Sequence, residues 1–180
     1  MVKISNYIAE AIAQKNRKLI ITAPPRHGKS ELVSQWLPIW YLSNWPDKHI
    51  LLASYGAELA TKFGRWCRNT ISEHEKELSV KISPDSSSVS RWHTTAGGSM
   101  VSLGAGGSVT GRGADLIIAD DLIKNIADAQ SPTIQKNLRE WFKSTLFTRL
   151  EPGGCFILIQ TRWTSDDLIG YLLKEHENVD

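Results

Sequence analysis

The chain has 180 residues, enough for one domain with a small appendage. Its composition is 41% apolar and 22% charged, with 21 Lys and Arg against 19 Asp and Glu, which excludes a disordered or polyanionic tail. The longest apolar runs, at 116–119 and 155–159, fall far short of the roughly 18 residues a membrane span needs. Residues 1–18 lack the continuous apolar centre of a secretory signal. Cys67 and Cys155 are far apart and without metal-ligand spacing, which argues against a disulfide framework or a zinc site and for a reducing compartment.

Ile4, Ile8, Ala11 and Ile12 recur at helical spacing and predict an amphipathic helix over 3–15. The apolar run 19–22, bounded by Ala23-Pro24-Pro25, predicts a buried strand. Leu32, Val33, Trp36, Leu37 and Trp40 suit a helix from Ser30 to about Leu42, which Pro38 should kink or divide. A second apolar strand follows at 50–54. A helix over 57–71 then carries Leu59, Phe63, Trp66 and Thr70 on one face.

Between 78 and 113 the pattern turns to Ser, Thr, Gly and alternation. Short strands are predicted at 80–83, 90–95 and 99–104, the last two joined as a hairpin through Ala96-Gly97-Gly98. A continuous buried strand returns at 116–119. Ser131 as N-cap and Pro132 at the first helical position start a helix to about Thr148, with Ile134, Leu138, Trp141, Phe142 and Thr145 inward. Another strand at 155–160 leads to a last helix, capped by Ser165. Strands alternating with helices predict an α/β fold, a mainly parallel sheet flanked by helices.

Four segments carry chemistry. Ala23-Pro24-Pro25-Arg26-His27-Gly28-Lys29-Ser30 matches the phosphate-binding loop GxxxxGK[ST] with Ala for the first Gly, between a strand and a helix as that loop requires. Backbone N–H groups of Arg26, His27, Gly28, Lys29, Ser30 and Glu31 would hold phosphates at a helix N-terminus. Lys29 would reach the β- and γ-phosphates of ATP, and the Ser30 hydroxyl would ligate Mg²⁺. The two prolines, which lack a donor, sit upstream of these groups. The strand 116–119 ends in Asp120-Asp121. Asp120 there would hold Mg²⁺ and Asp121 would orient and deprotonate a water. The strand 155–160 ends in Gln160-Thr161-Arg162, polar groups at a strand tip where crevice ligands lie. The glycine-rich stretch 104–113 carries Arg112 between two glycines, suited to swinging a guanidinium onto a transferring phosphoryl group.

The segments APPRHGKSE, SLGAGGSVTGRGADLIIADDLIKN and LIQTRWTSDDLIGYLL, in this order, resemble the N-terminal ATPase domain of tailed-bacteriophage terminase large subunits. The resemblance covers nearly the whole chain. It implies an additional-strand, RecA-like P-loop ATPase fold over 1–180, with ATP and Mg²⁺ as ligands. Residue by residue, it makes Lys29 and Ser30 the Walker-A pair and Arg26 the loop arginine. Asp120 becomes the Walker-B metal acid, Asp121 the catalytic carboxylate, Thr161 the coupling motif and Arg112 a finger acting in trans. The implied partners are double-stranded DNA, a portal protein, a small terminase subunit and further copies in a ring, in the host-cell cytoplasm and with no membrane. The isolated domain is expected to be a slow monomer. In three respects the chain departs from the family pattern. The second acid is Asp121 where Glu is commoner, and the loop arginine sits at the fourth position rather than the third. The C-terminal RNase H-like nuclease domain is not in the sequence, so no DNA cleavage is expected of this segment.

Two basic stripes are candidates for duplex contacts: Lys62, Arg65 and Arg68 on the 57–71 helix, and Lys136, Arg139 and Lys143 on the 131–148 helix. The residues alone also fit another DNA-dependent P-loop ATPase such as a helicase, a small-molecule P-loop kinase, or a nucleotide-gated assembly module.

Overall fold

In the computed structural model, residues 2–15, 17–86, 88–109, 111 and 113–177 are described, the side chains of 176 and 177 excepted. The strands in chain order are β1 (Lys18–Thr22), β2 (His49–Ser54), β3 (Arg91–His93), β4 (Ser99–Gly104), β5 (Ala114–Asp120) and β6 (Leu150–Gln160). They form one sheet in the order β1-β6-β5-β2-β4-β3. Only the β3–β4 hairpin is antiparallel; the other pairings in the sheet are parallel. The parallel α/β sheet expected from the sequence is therefore the fold.

The helices are α1 (Val2–Ala13), α2 (Leu37–Asn44), α3 (Ala57–Glu73), α4 (Ile126–Gln130), α5 (Pro132–Trp141) and α6 (Leu168–Glu177). Successive strand residues point to opposite faces, and both faces are covered. Ile50, Leu116, Ile118 and Ile157 pack with Ile8, Leu42 and Cys67 of α1, α2 and α3. Leu51, Ile117 and Leu158 pack with Ala129, Leu138 and Leu168 of α4, α5 and α6. Double burial explains why 116–119 of β5 reads as an unbroken apolar run instead of an alternating one.

Several expected elements differ in detail. Residues Glu31–Trp36 form a π-helical turn before α2 begins at Leu37. Pro38 has no N–H to give the Ser34 carbonyl, and the Cys67 thiol donates to the carbonyls of Ser34 (3.7 Å) and Gln35 (3.4 Å) instead. The wider turn rotates the helix, so Leu37, Tyr41 and Leu42 are buried while Trp36 and Trp40 face outward. The expected strand at 80–83 is a single bridge, Ile82 to Thr94. Ile134, expected inside, is exposed, and Gln135 is buried in its place, donating to the Ala129 carbonyl. The 131–148 helix is α only to Trp141, then passes through a π turn and a 3₁₀ turn. Asp167 rather than Ser165 caps α6, its carboxylate accepting from Gly170 N at 3.0 Å.

Candidate functional site

The carboxyl ends of the neighbouring strands β1, β6 and β5 deliver all the described polar groups of the site. After β1 the chain enters the loop 23–30. Arg26 (φ 61°) and Gly28 (φ 73°) both lie in the left-handed region, which curls the loop back over the sheet. Gly28 meets that demand without steric cost, whereas Arg26 takes it as a strained residue. His27 Nδ1 donates to the Pro25 carbonyl (2.8 Å) and closes the turn. The helical ladder begins with Leu32 N donating to Gly28 O at 3.0 Å.

Lys29 is only 7% exposed. Its ammonium lies 2.7 Å from Asp121 Oδ2 and donates to Thr161 Oγ1 at 3.0 Å. One side chain from the β1 loop thus bridges the tips of β5 and β6. Asp121 is anchored on every side. Its backbone is left-handed (φ 43°), a conformation Asp tolerates better than most residues. Its N–H donates to Ile159 O (2.9 Å), its carbonyl accepts from Tyr55 N (3.2 Å) and its Oδ1 accepts from Thr161 N (2.7 Å). The carboxylate is fixed in position before any ligand arrives.

Asp120 follows the strand's alternation inward, onto the face of Leu116 and Ile118. It is 1% exposed and accepts hydroxyl bonds from Ser30 at 3.0 Å and from Ser34 at 2.6 Å. Burial raises its pKa from 3.8 to about 6. The Ser34 and Ser30 hydrogen bonds pull it down, the Asp121 charge pushes it up and Lys29 lowers it slightly. Ser30 and Asp120 offer oxygen donors alone, the set a hard cation such as Mg²⁺ takes. Among the described residues no cluster of three His, Cys, Asp or Glu side chains could hold an ion alone. A cation between Ser30 and Asp120 would therefore complete its shell with water and phosphate oxygens, as Mg²⁺ commonly does.

Of the site residues expected from the sequence, Lys29, Ser30, Asp120, Asp121 and Thr161 converge. The side chains of Arg26, His27 and Glu31 are exposed on the loop and the first helical turn. Arg112 lies outside the described residues. Ser34, one turn beyond Ser30, carries no motif that marks it in the sequence, and Asp167, in the turn after β6, lies in the segment LIQTRWTSDDLIGYLL without a role assigned to it by that motif. In that turn the fully buried Asp167 accepts from Arg162 Nε (2.9 Å) and Trp163 N (3.2 Å), so Thr161 is joined to the start of α6 by a short rigid segment.

The family model for the N-terminal region of the T4-like-virus type terminase large subunit matches residues 20–178. The chain belongs to this terminase family. No curated protein sequence matches the chain. Among solved structures, the large terminase of bacteriophage HK97 is similar with a TM-score of 0.58 at 16% identity, over 89% of this chain and 33% of that one. The chain thus spans about a third of that terminase's length. The N-terminal domain of the DNA packaging ATPase of bacteriophage phi29 is similar with a TM-score of 0.52 at 15% identity, over 94% of this chain and 84% of that one. At such identities the two structures speak to the terminase ATPase fold.

Proposed function

We propose that this domain hydrolyses ATP with Mg²⁺ and uses the cycle to drive double-stranded DNA into a viral procapsid. The supporting observation is the convergence of Lys29, Asp121 and Thr161 from three adjoining strand ends, with Ser30 and Asp120 beside them. On binding, Lys29 exchanges the Asp121 carboxylate for phosphate oxygens, and the loop N–H groups from Arg26 to Glu31 donate to the phosphates. Ser30 and Asp120 would hold Mg²⁺, whose charge would offset that of the β- and γ-phosphates. Asp121, freed from the ammonium but still gripped by Thr161 N, takes a proton from the attacking water. The water oxygen bonds to the γ-phosphorus as the bond to the β–γ bridging oxygen breaks, giving ADP and inorganic phosphate. Thr161 meets the γ-phosphate, and its loss is passed to α6 through the Arg162–Asp167 turn.

Arg112 is assigned as a finger entering a neighbouring subunit's site. The assembly is a homo-oligomeric ring on the portal, in contact with the small terminase subunit in the host cytoplasm. Among the described residues no helix is long and apolar enough to cross a membrane.

Phosphate release, measured with and without duplex DNA, tests the reading. It should require Lys29 and Asp121 and rise with duplex. Equal release by Lys29→Ala would overturn it. Mixing Arg112→Ala with Lys29→Ala subunits should restore turnover, and a dead mixture would remove the trans role.

A further inference from the structure

Around the start of α3 a groove of about 700 Å³ opens beside the site, lined by Tyr55, Gly56, Glu58, Lys62, Arg65 and Lys124 among others. Three of these are exposed cations, against one carboxylate. Among the described residues none of the three forms an ion pair. The second basic stripe is spent differently. Lys136 pairs with Glu140 and Lys143 with Glu175, while Arg139 stacks on Tyr171 and donates to the Asp166 carbonyl. The Arg139 and Lys143 contacts tie α6 to α5 and to the turn after it, whereas the Lys136–Glu140 pair lies within α5.

We propose that the α3 groove is where the backbone of duplex DNA lies, with Lys62, Arg65 and Lys124 contacting consecutive phosphates. This rests on the motor reading above and assigns its track on the domain. The groove continues along α3 past Arg65 and Asn69 to Glu73, whose carboxylate marks the end of the basic run. From Lys62 to Asn69 the helix rises about 10 Å, and one DNA strand presents a phosphate about every 3.4 Å of axis. That run of donors suits a continuous backbone better than a lone phosphate or nucleotide. Gly56 caps α3 without a side chain, so the helix's first amides add partial positive charge at the same end. Such contacts hold any sequence alike, since they address phosphates and no base edge. Lys124 stands three residues beyond Asp121, and Tyr55 N donates to the Asp121 carbonyl. The groove and the catalytic carboxylate are therefore parts of one loop assembly.

The test is the salt dependence of binding of this chain to a fluorescent random-sequence duplex, beside a single strand of equal length and free inorganic phosphate as competitors. The Lys62→Ala/Arg65→Ala/Lys124→Ala variant should lower the magnitude of the slope of log K against log salt by about 2.7, at roughly 0.9 per phosphate contact. A Lys3→Ala/Lys136→Ala/Lys143→Ala control, which loses equal charge, should leave the slope almost unchanged. Circular dichroism reports folding and should match wild type in the groove variant. An unchanged slope overturns the proposal while leaving the ATPase reading intact. So does preference for the single strand, full displacement by millimolar phosphate, absence of duplex binding by wild type at low salt, or a loss seen only in self-association, which would make the groove a subunit interface. Loss of phosphate release in the wild-type protein is the separate failure of the ATPase reading.

Discussion

Asp120→Asn should stabilise the nucleotide-free protein. The native carboxyl has its pKa raised from 3.8 to about 6 by burial, so the charged form carries a penalty of about 3 kcal/mol, at roughly 1.4 kcal/mol per tenfold change in acidity. The sign follows from proton counting. Between about pH 4 and 6 the folded protein keeps a proton on Asp120 that the unfolded chain has released, so stability falls as pH rises through that window. Above pH 6 the whole penalty is present; below pH 4 it vanishes. Asparagine has the same shape and no charge. The Ser30 hydroxyl can still donate to its oxygen, while the Ser34 hydroxyl rotates to accept from its nitrogen. At pH 7.5 the variant should melt about 6–12 °C above wild type, given 2–4 °C per kcal/mol at this chain length. The gap should narrow to about a third as the pH is lowered to 4.5. Because other groups titrate alike in both proteins, the difference isolates Asp120. Urea denaturation at four pH values from 4.5 to 7.5 measures it. A variant no more stable than wild type at pH 7.5, or a gap that ignores pH, would refute the burial argument.

Three further substitutions probe the site and its supports. Asp121→Asn removes the ion-pair partner of Lys29. Titration with a fluorescent ATP analogue should show tighter binding while phosphate release drops by about a hundred to ten thousand fold; weakened binding would contradict the exchange of partners. Asp167→Ala deletes the acceptor of Arg162, Trp163 and Gly170 and should cost about 2–4 kcal/mol in urea denaturation, with amide exchange at α6 accelerated first. Gly104→Ala would put a Cβ 2.6 Å from the Ala57 backbone nitrogen, where no side chain can move aside. The cost should be about 1–3 kcal/mol, read as a lowered urea midpoint, and a midpoint equal to wild type would show that α3 shifts freely.

The site was legible because its chemistry is written in consecutive residues tied to strand ends. The run 19–22, the loop Arg26–Ser30 and the pair Asp120-Asp121 each combine an apolar strand with the polar group at its tip. A parallel sheet brings such tips to one edge. Ser34 escaped notice although it stands four residues after Ser30, one turn along the same helix face, a spacing that could have marked it. The π turn at Glu31–Trp36 could not be read from apolar spacing, because it goes with a tertiary contact, the Cys67 thiol of α3 donating to the Ser34 carbonyl that Pro38 leaves and to that of Gln35. The basic stripes are equally visible in sequence; only tertiary partners, such as Glu175 for Lys143 and the Ser88 carbonyl for Arg68, tell which cations in each are engaged. The expected strand at 80–83 shrank to one bridge, since alternation alone does not supply a partner.

The position of β1 at the rim of the sheet has a further consequence. β1 pairs with β6 alone, and its Leu19, Ile20 and Ile21 are only half-buried, whereas β5 lies between two strands with its apolar residues enclosed. The lysine therefore follows an edge strand of the sheet, and the acids end an interior one. On the proposed reading, nucleotide capture would be a seam drawn shut from one side: the ordering cost would fall on the rim, and the ligand would tighten the fastening of β1 to the rest of the domain.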